Sequence, residues 1–361
     1  LAPEMLRLDI SEALLTLKAC GFVNFGALDW LDPPDARDAA RAEELLRELG
    51  AVDARGALTA DGRAMAQYPL HPRYSRMLVE AGRLGCAYEC ALIAAAAQGR
   101  GLWLAEGKRP QETGLRSDLA AVIEALQVCA AEDFEPYACQ RAGLKHAPAR
   151  DTWRTAKRLA PQFFQTGQSA GLAGSASPGG AGALTLASKC FLRAFPDRVA
   201  VRLSAPGGRY RLTGGKSAKL DTKSAAAGAE LLCAGEALES PGRGGAELTL
   251  SFATEVREEW LREAFPGDIK TVSRPALDKE MLSPVTETLT LYRDLVIRSE
   301  ISSAAPGKSS SDLIAEEFIS GRAKFTAWNE EVEEWLARVD FLAKAAPDLG
   351  LESLGEEDLK L

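Results

Sequence analysis

The sequence predicts a multidomain, mainly α-helical protein with a small β-barrel and a closing α/β segment. Three observations carry that expectation. At 361 residues the chain exceeds what one core ordinarily serves, so two or three domains are expected. Apolar residues recur at helical spacing almost continuously from residue 9 to 164. Beyond residue 199 the period changes to alternation, with glycine-containing turns between short runs.

Taken in order, residues 9–21 (DISEALLTLKACG) offer a capping Asp or Ser, an apolar stripe of Ala13, Leu14, Leu17 and Cys20, and a closing glycine. Residues 30–50 read as a proline-initiated helix ending at Gly50, with Ala39, Ala42, Leu45 and Leu46 inward. Two short apolar pieces flank Asp53-Ala54-Arg55-Gly56, where Gly56 suits a turn with positive φ, and a short helix follows from Thr59. Helix, helix, small hairpin and helix is the order of a winged-helix domain, assigned to residues 1–70. Residues 71–166 hold successive helices with short loops and no β-branched runs, as in a helical bundle. The Gly/Ala/Ser-rich stretch 167–185 is expected to be a linker with nothing to bury. Strands at 199–203, 209–215, 229–238 and 246–254 predict a small barrel within 186–255. The last segment, 256–361, starts with a helix at 256–265, returns to strand at 286–298 and ends in acidic helices.

Composition is that of a soluble protein with real cores, 46% hydrophobic and 26% charged. The longest apolar stretch, Ala91 to Ala97, is far too short for a membrane span. The first residues lack the basic-then-apolar pattern of a secretory signal. The absence of an initiator Met suggests a piece of something longer. The seven cysteines are scattered and odd in number, which points to reduced, packed thiols in a cytoplasmic protein. Cys86 and Cys90 lie one helical turn apart, but no second pair or nearby histidine completes a zinc site, so no metal is expected.

Net charge is −8, yet its distribution is uneven. Between residues 141 and 223 fifteen Lys and Arg face only Asp151, Asp197 and Asp221, while acidity gathers after residue 312. Screening cuts charge interactions off beyond about 10 Å, so local fields outweigh the total. A basic middle with an acidic tail is compatible with a polyanionic partner. Its sharpest element is the helix at 149–164. Arg150, Arg154 and Lys157 recur there at i, i+4 and i+7, with Arg158 on the flank and Trp153, Ala156, Leu159 and Phe163 inward. Such a row can neutralise successive phosphates, or it can be a solvated face with no partner. In the barrel, Arg209, Arg211, Lys216 and Lys219 surround Tyr210, which either stacks on bases or packs in the core.

Two Gly-Lys-Ser triplets, at 215–217 and 307–309, invite comparison with a phosphate-cradling loop. That loop needs a further glycine five residues earlier, where this chain has Tyr210 or Ser302. No nucleotide is expected; the second triplet reads as a polar loop capping a helix from Asp312. Gly167-Gln168-Ser169-Ala170-Gly171 fits a hydrolase nucleophile pattern, but a helix precedes it and both histidines, His71 and His146, lie upstream. No catalytic residue is assigned.

Residues 58–81 (LTADGRAMAQYPLHPRYSRMLVEA) resemble the segment that closes the winged helix and opens the ratchet domain of DEAH-box/RHA helicases. LDPP (31–34) and ELLRELGAVD (44–53) are similar to the stretches just before it, and SDLAAVIEALQVC (117–129) with 149–163 resembles the ratchet bundle. AFPDRVAVRL (194–203), GRYRLTGGKSAKL and WLARVDFLAKAAPD (335–348) look like the bacterial HrpB-type branch. The resemblance implies a C-terminal region with winged helix, ratchet and OB-like barrel, lacking the two RecA-like motor domains that would bind ATP and Mg. By itself the chain would then have no ATPase activity, whereas the intact protein would be an ATP-dependent helicase. The expected partners are single-stranded nucleic acid, RNA in preference to DNA, and the motor domains; no membrane is expected. Carried over by position, Arg150, Arg154 and Lys157 would lie on the ratchet helix beside the strand, with Arg209, Arg211, Lys216 and Lys219 on the barrel. Arg73 of Pro-Leu-His-Pro-Arg is assigned a structural role, paired with a carboxylate such as Glu80 or Asp61. The alternative is a protein-interaction scaffold that docks partners through the acidic C-terminal helices, with Trp328 and Trp335.

Overall fold

The computed structural model describes residues 9–99, 101–104, 114–161, 180–203, 208–242, 245–277, 284–303 and 329–350. The chain divides into two units, 1–266 and 267–361. The triplet at 307–309, the helix from Asp312, Trp328, the Gly-Gln-Ser-Ala-Gly stretch and Phe163 lie outside the described residues.

The first unit begins with α1 (Ser11–Ala19), α2 (Ala36–Glu48) and α3 (Ala60–Met65). Leu14, Leu15, Leu46, Leu49, Val52 and Met65 make their shared core. Asp35, not a proline, caps α2 by accepting from the Arg37 N–H at 2.7 Å, so Pro33 and Pro34 precede the helix instead of opening it. The expected hairpin reduces to one bridge between Val52 and Leu58, with Gly56 at φ +80° in its turn. Lys18 is buried and holds this turn. Its ammonium donates to Val23 O (2.7 Å), Gly56 O (3.0 Å) and Glu43 (3.1 Å). Thr59 accepts from the Gly62 N–H at 2.9 Å and donates to Gly50 O at 2.7 Å. A Cβ on Gly62 would fall 2.1 Å from Ala51 O, so only glycine lets α3 approach that chain so closely. This is the physical content of the Leu-Thr-x-x-Gly stretch.

Six helices follow: α4 (Pro72–Leu84), α5 (Ala87–Gln98), α6 (Asp118–Ala131), α7 (Pro136–Arg141), α8 (His146–Leu159) and α9 (Ala181–Ala194). α5 is apolar on most of its circumference and central, with α4, α6, α8 and α9 packed against it. His71 joins this bundle to the preceding domain. Its Nδ1 accepts from the Arg73 N–H (3.3 Å) at the start of α4, and its Nε2 lies 3.1 Å from Asp9 at the start of α1. That hydrogen bond, against the effect of burial and with help from Ser11, holds the Asp9 carboxyl far below the usual carboxylate range.

Residues 181–194 correct the expectations for that stretch. The linker expected over 167–185 was to bury nothing, yet Ala183 and Leu184 are buried, and 186–194 is helix instead of barrel. Ala183, Leu184, Ala187, Cys190 and Phe191 form a helical stripe that the surrounding glycines obscure.

The strands β1 (Val199–Arg202), β2 (Arg209–Leu212), β3 (Ser217–Leu220), β4 (Leu231–Gly242) and β5 (Gly245–Glu255) close into a barrel in the order β1-β2-β3-β5-β4, with β3 and β5 parallel and the other pairs antiparallel. Sequence alternation missed β3, whose four residues bury only Ala218. Helix α10 (Glu258–Ala264) returns to α9, where Lys189 meets Glu263 at 2.5 Å.

Arg73 and Asp118 anchor two of the polar junctions between bundle and barrel, beside the buried Ser188–Thr254 hydroxyl contact at 3.1 Å. Arg73 donates to both carboxylate oxygens of Asp197 (2.6 and 2.8 Å) and to Ala194 O (3.0 Å). Asp197 O in turn accepts from the Thr213 hydroxyl, and Arg73 and Arg198 both lie over the Phe195 ring. At the second junction, Asp118 in the first turn of α6 accepts from Ser224 Oγ (2.8 Å), Ala225 N (2.7 Å) and Ala253 N (2.8 Å). Every oxygen of that buried carboxylate is satisfied by barrel residues.

In the second unit β6 (Ile269–Leu277), β7 (Pro284–Tyr292) and β8 (Leu295–Ser303) form an antiparallel sheet, and α11 (Glu330–Ala345) is capped by Asn329. The single strand expected at 286–298 is two strands. They turn at Arg293, whose φ is +55° and whose guanidinium holds Asp268 at 2.9 Å.

Burial alone would raise the Asp197 carboxyl, but the Arg73 charge and hydrogen bonds hold it below its ordinary value of 3.8. A depressed carboxylate stabilises the fold above that ordinary value, and the contribution is lost as pH falls through the folded-state value. Arg73 is 7% exposed, but the Asp197 side chain keeps 36% of its surface in solvent, so the loss is set at the low end for a buried pair. Asp197→Asn is expected to destabilise the chain by about 3 kcal/mol at neutral pH. The difference from the unsubstituted chain should shrink toward pH 3 in urea unfolding; a pH-independent difference would assign the effect to packing.

Candidate nucleic-acid interface

The basic row on α8 exists because that helix is sharply amphipathic. Ala149, Thr152 and Ala156 are buried toward α5, and Trp153 sets its ring edge-on to Phe134 (5.5 Å) and Tyr88 (6.2 Å). The opposite side carries Arg150, Arg154, Lys157 and Arg158, all exposed. The structure therefore brings Arg150, Arg154 and Lys157 together as the spacing predicts. Asp151 is the only carboxylate near them in an ion pair among the described residues, 3.5 Å from Arg154. Beside the row lies a cleft of about 330 Å³ between α5 and α8, lined by Gln98, Asp151, Thr152 and Thr155. Gly99 keeps it tight: a Cβ there would meet Thr152 Oγ1 at 3.3 Å.

The second group sits on the β2–β3 hairpin. Arg209 pairs across the ladder with Lys219, and Arg211 with Ser217, so all four point to the outer face. Lys216 occupies the turn, between Gly215 at φ +76° and Ser217. The Gly-Lys-Ser at 215–217 is thus a hairpin turn that presents no ring of amides to a phosphate. Sequence reasoning missed the counter-charges. Glu247 on β5 meets Lys219 at 2.6 Å and Arg209 at 3.5 Å, and Glu239 on β4 meets Lys216 at 3.4 Å. The Lys219 hydrogen bond, then its charge and that of Arg209, holds Glu247 below the usual carboxylate range. Arg211 has no ion pair among the described residues. The outward position of Glu247 in the alternating run of β5 was the available signal.

Tyr210 is 2% exposed and donates its hydroxyl to Ala229 O at 2.9 Å, so it is a core residue of the barrel and no stacking platform. Arg73 is structural, but with a different partner from those expected. Asp61 is taken by Arg76 (2.7 Å) and Arg83, and Glu80 by Arg76 (3.3 Å), Arg193 (3.2 Å) and Arg83 (3.4 Å). Sequence proximity favoured those carboxylates, whereas the fold supplies Asp197 from 124 residues away.

Comparison with known proteins gives this geometry a context. Residues 42–70 match the family described as helicase associated domain (HA2), winged-helix, and residues 71–163 match helicase associated domain (HA2), ratchet-like. The pre-mRNA-splicing factor ATP-dependent RNA helicase prp22 of Schizosaccharomyces pombe is 36% identical over 110 residues, 30% of this chain and 9% of that protein. The probable ATP-dependent RNA helicase DHX35 of Homo sapiens is 39% identical over 97 residues, 27% of this chain and 14% of that protein. The chain therefore spans only a small part of these relatives. Across its full length it shares the fold of the E. coli DExH-box NTPase HrpB, with a TM-score of 0.56 and 22% identity, and covers 38% of that chain. A second structure, described as Escherichia coli DEAH/RHA helicase HrpB, gives 0.53 and 23% over the same full length. The chain thus carries the winged-helix and ratchet-like helicase-associated (HA2) domains and shares its fold with HrpB. Among the described residues no helix is long and apolar enough to cross a membrane.

Tyr210→Phe is expected to cost about 1 kcal/mol through the lost hydrogen bond, measured by thermal unfolding. Affinity for a labelled single strand should stay unchanged; a fall of several-fold would return Tyr210 to the interface.

Proposed function

We propose that this chain, with its winged-helix and ratchet-like helicase-associated domains, guides single-stranded nucleic acid for an ATP-dependent RNA helicase whose motor domains lie outside it. The observation that carries this is the row of Arg150, Arg154 and Lys157, exposed together on one face of the ratchet-like domain. Spaced along one helix, these cations can neutralise successive phosphates and release counterions, giving affinity without base preference. Arg209, Arg211, Lys216 and Lys219 form a second contact on the barrel, whose small size and closed five-strand order support an oligonucleotide-binding (OB-type) reading. RNA is the favoured strand because relatives carrying these domains are named RNA helicases. ATP and Mg belong to the motor domains of the intact protein, where the chemistry of strand movement takes place, and the working compartment is the cytoplasm. A scaffold role has one observation in its favour, the exposed Trp335 and Phe341 on α11.

Charge reversal is not needed to test the row. Arg150→Ala, Arg154→Ala and Lys157→Ala together should flatten the dependence of log affinity on log salt by about 2, since each phosphate contact on a single strand contributes about 0.7. Fluorescence titration of a labelled oligouridylate across salt concentrations gives the slope. An unchanged slope removes these residues from the strand path and leaves the scaffold role in possession.

The barrel face makes a prediction of opposite sign. Glu247→Gln frees Arg209 and Lys219 and should raise affinity at low salt by about threefold. A lowered or unchanged affinity would mean that the hairpin does not touch the strand.

A further inference from the structure

Three sulfurs meet in the buried seam between α5 and α9. Cys86 sits at the start of α5, Cys90 lies one turn further on, and Cys190 arrives from α9, 104 residues beyond Cys86 in the chain. Their Sγ atoms all lie within 4.8 Å of one another, and those of Cys86 and Cys190 are 3.5 Å apart. Each residue is 0% exposed. The pair at 86 and 90 lacked further ligands in the sequence, and the fold adds the third.

The donor set decides which ion fits. A metal–sulfur bond of about 2.3 Å places three sulfurs in a trigonal plane about 4 Å apart, which the observed spacing brackets. Among the described residues no histidine or carboxylate joins the group, so the four-ligand closure that zinc prefers is not offered. Three soft sulfurs suit a thiophilic ion content with three ligands. Burial disfavours bare thiolates here, so the bound cation must itself offset their charge. Cys86 is the N-cap of α5, where free helix amides favour an anion, whereas the Cys90 N–H is already bonded to Cys86 O at 3.1 Å. Arg193 stands one turn beyond Cys190 and holds Glu80 at 3.2 Å.

We propose that Cys86, Cys90 and Cys190 form a three-sulfur site for one monovalent soft cation of the copper(I) class. The ion replaces the thiol protons, which leave to buffer, and its bonds tie the first turn of α5 to α9. No other chemistry is asked of it.

The test is anaerobic titration of the full chain with copper(I) against a chromophoric copper(I) chelator, read with the near-ultraviolet thiolate-to-copper band. One equivalent per chain is expected. It should persist when Cys20, Cys129, Cys139 and Cys233 are all replaced by Ala, and weaken at least tenfold in Cys190→Ala. A wild-type chain that leaves the ion with the chelator overturns the proposal, as does Cys190→Ala binding as tightly as wild type. Should Cys190→Ala fail to fold, the four-fold variant decides: one equivalent supports the site and none overturns it.

Discussion

The ion pair between Arg73 and Asp197 is the constraint on which the first unit depends. It joins the first turn of α4 to the short segment that launches the barrel, and does so with two parallel hydrogen bonds in a mostly dry setting. Both flanks are tied as well. Two residues before Arg73, His71 reaches back to Asp9; beside Asp197, Phe195 lies under two guanidinium groups and Thr213 caps the Asp197 carbonyl. Winged helix, bundle and barrel thus converge on a few residues at 71–73 and 194–198. A planar guanidinium suits that place because it can hold a carboxylate, a carbonyl and an aromatic face at once, which an ammonium cannot.

Most of the helices were legible because each carries its own period and its own ends: Thr59, Ser117 and Asn329 as caps, Gly85 as a left-handed stop. What escaped was structure whose reason lies elsewhere in the chain. β3 buries a single alanine and exists because β2 and β5 flank it. The start of α9 hides in a run of Gly, Ala and Ser, where small residues serve close packing as readily as they serve a loop. Of the candidate site, the face shared by Arg150, Arg154 and Lys157 followed from spacing alone. The partners of Arg209, Lys216 and Lys219 could not, because Glu239 and Glu247 reach them through strand register, and so does the assignment of Tyr210 to the core.

The two basic groups differ in a way that counting charges conceals. Among the described residues, Arg154 is the one cation of the α8 row in an ion pair, and at 3.5 Å that contact is loose. On the barrel three of the four cations already have acidic neighbours, so a phosphate must displace a carboxylate to gain them. Exposed ion pairs contribute little stability, so such an exchange is easy, but its gain is smaller than for an unengaged cation. The bundle face therefore presents the less compensated charge, and the barrel face the more compensated one.

Closure of the five strands has its own consequence. It binds β1 to β4 only through Val199–Val201 and Leu231–Cys233, and β3 to β5 only through Ala218–Leu220 and Leu248–Leu250, so from Ala234 to Gly242 β4 runs on paired with β5 alone. A barrel closed over so short a girdle leaves most of its longest strand with one side that no described strand covers.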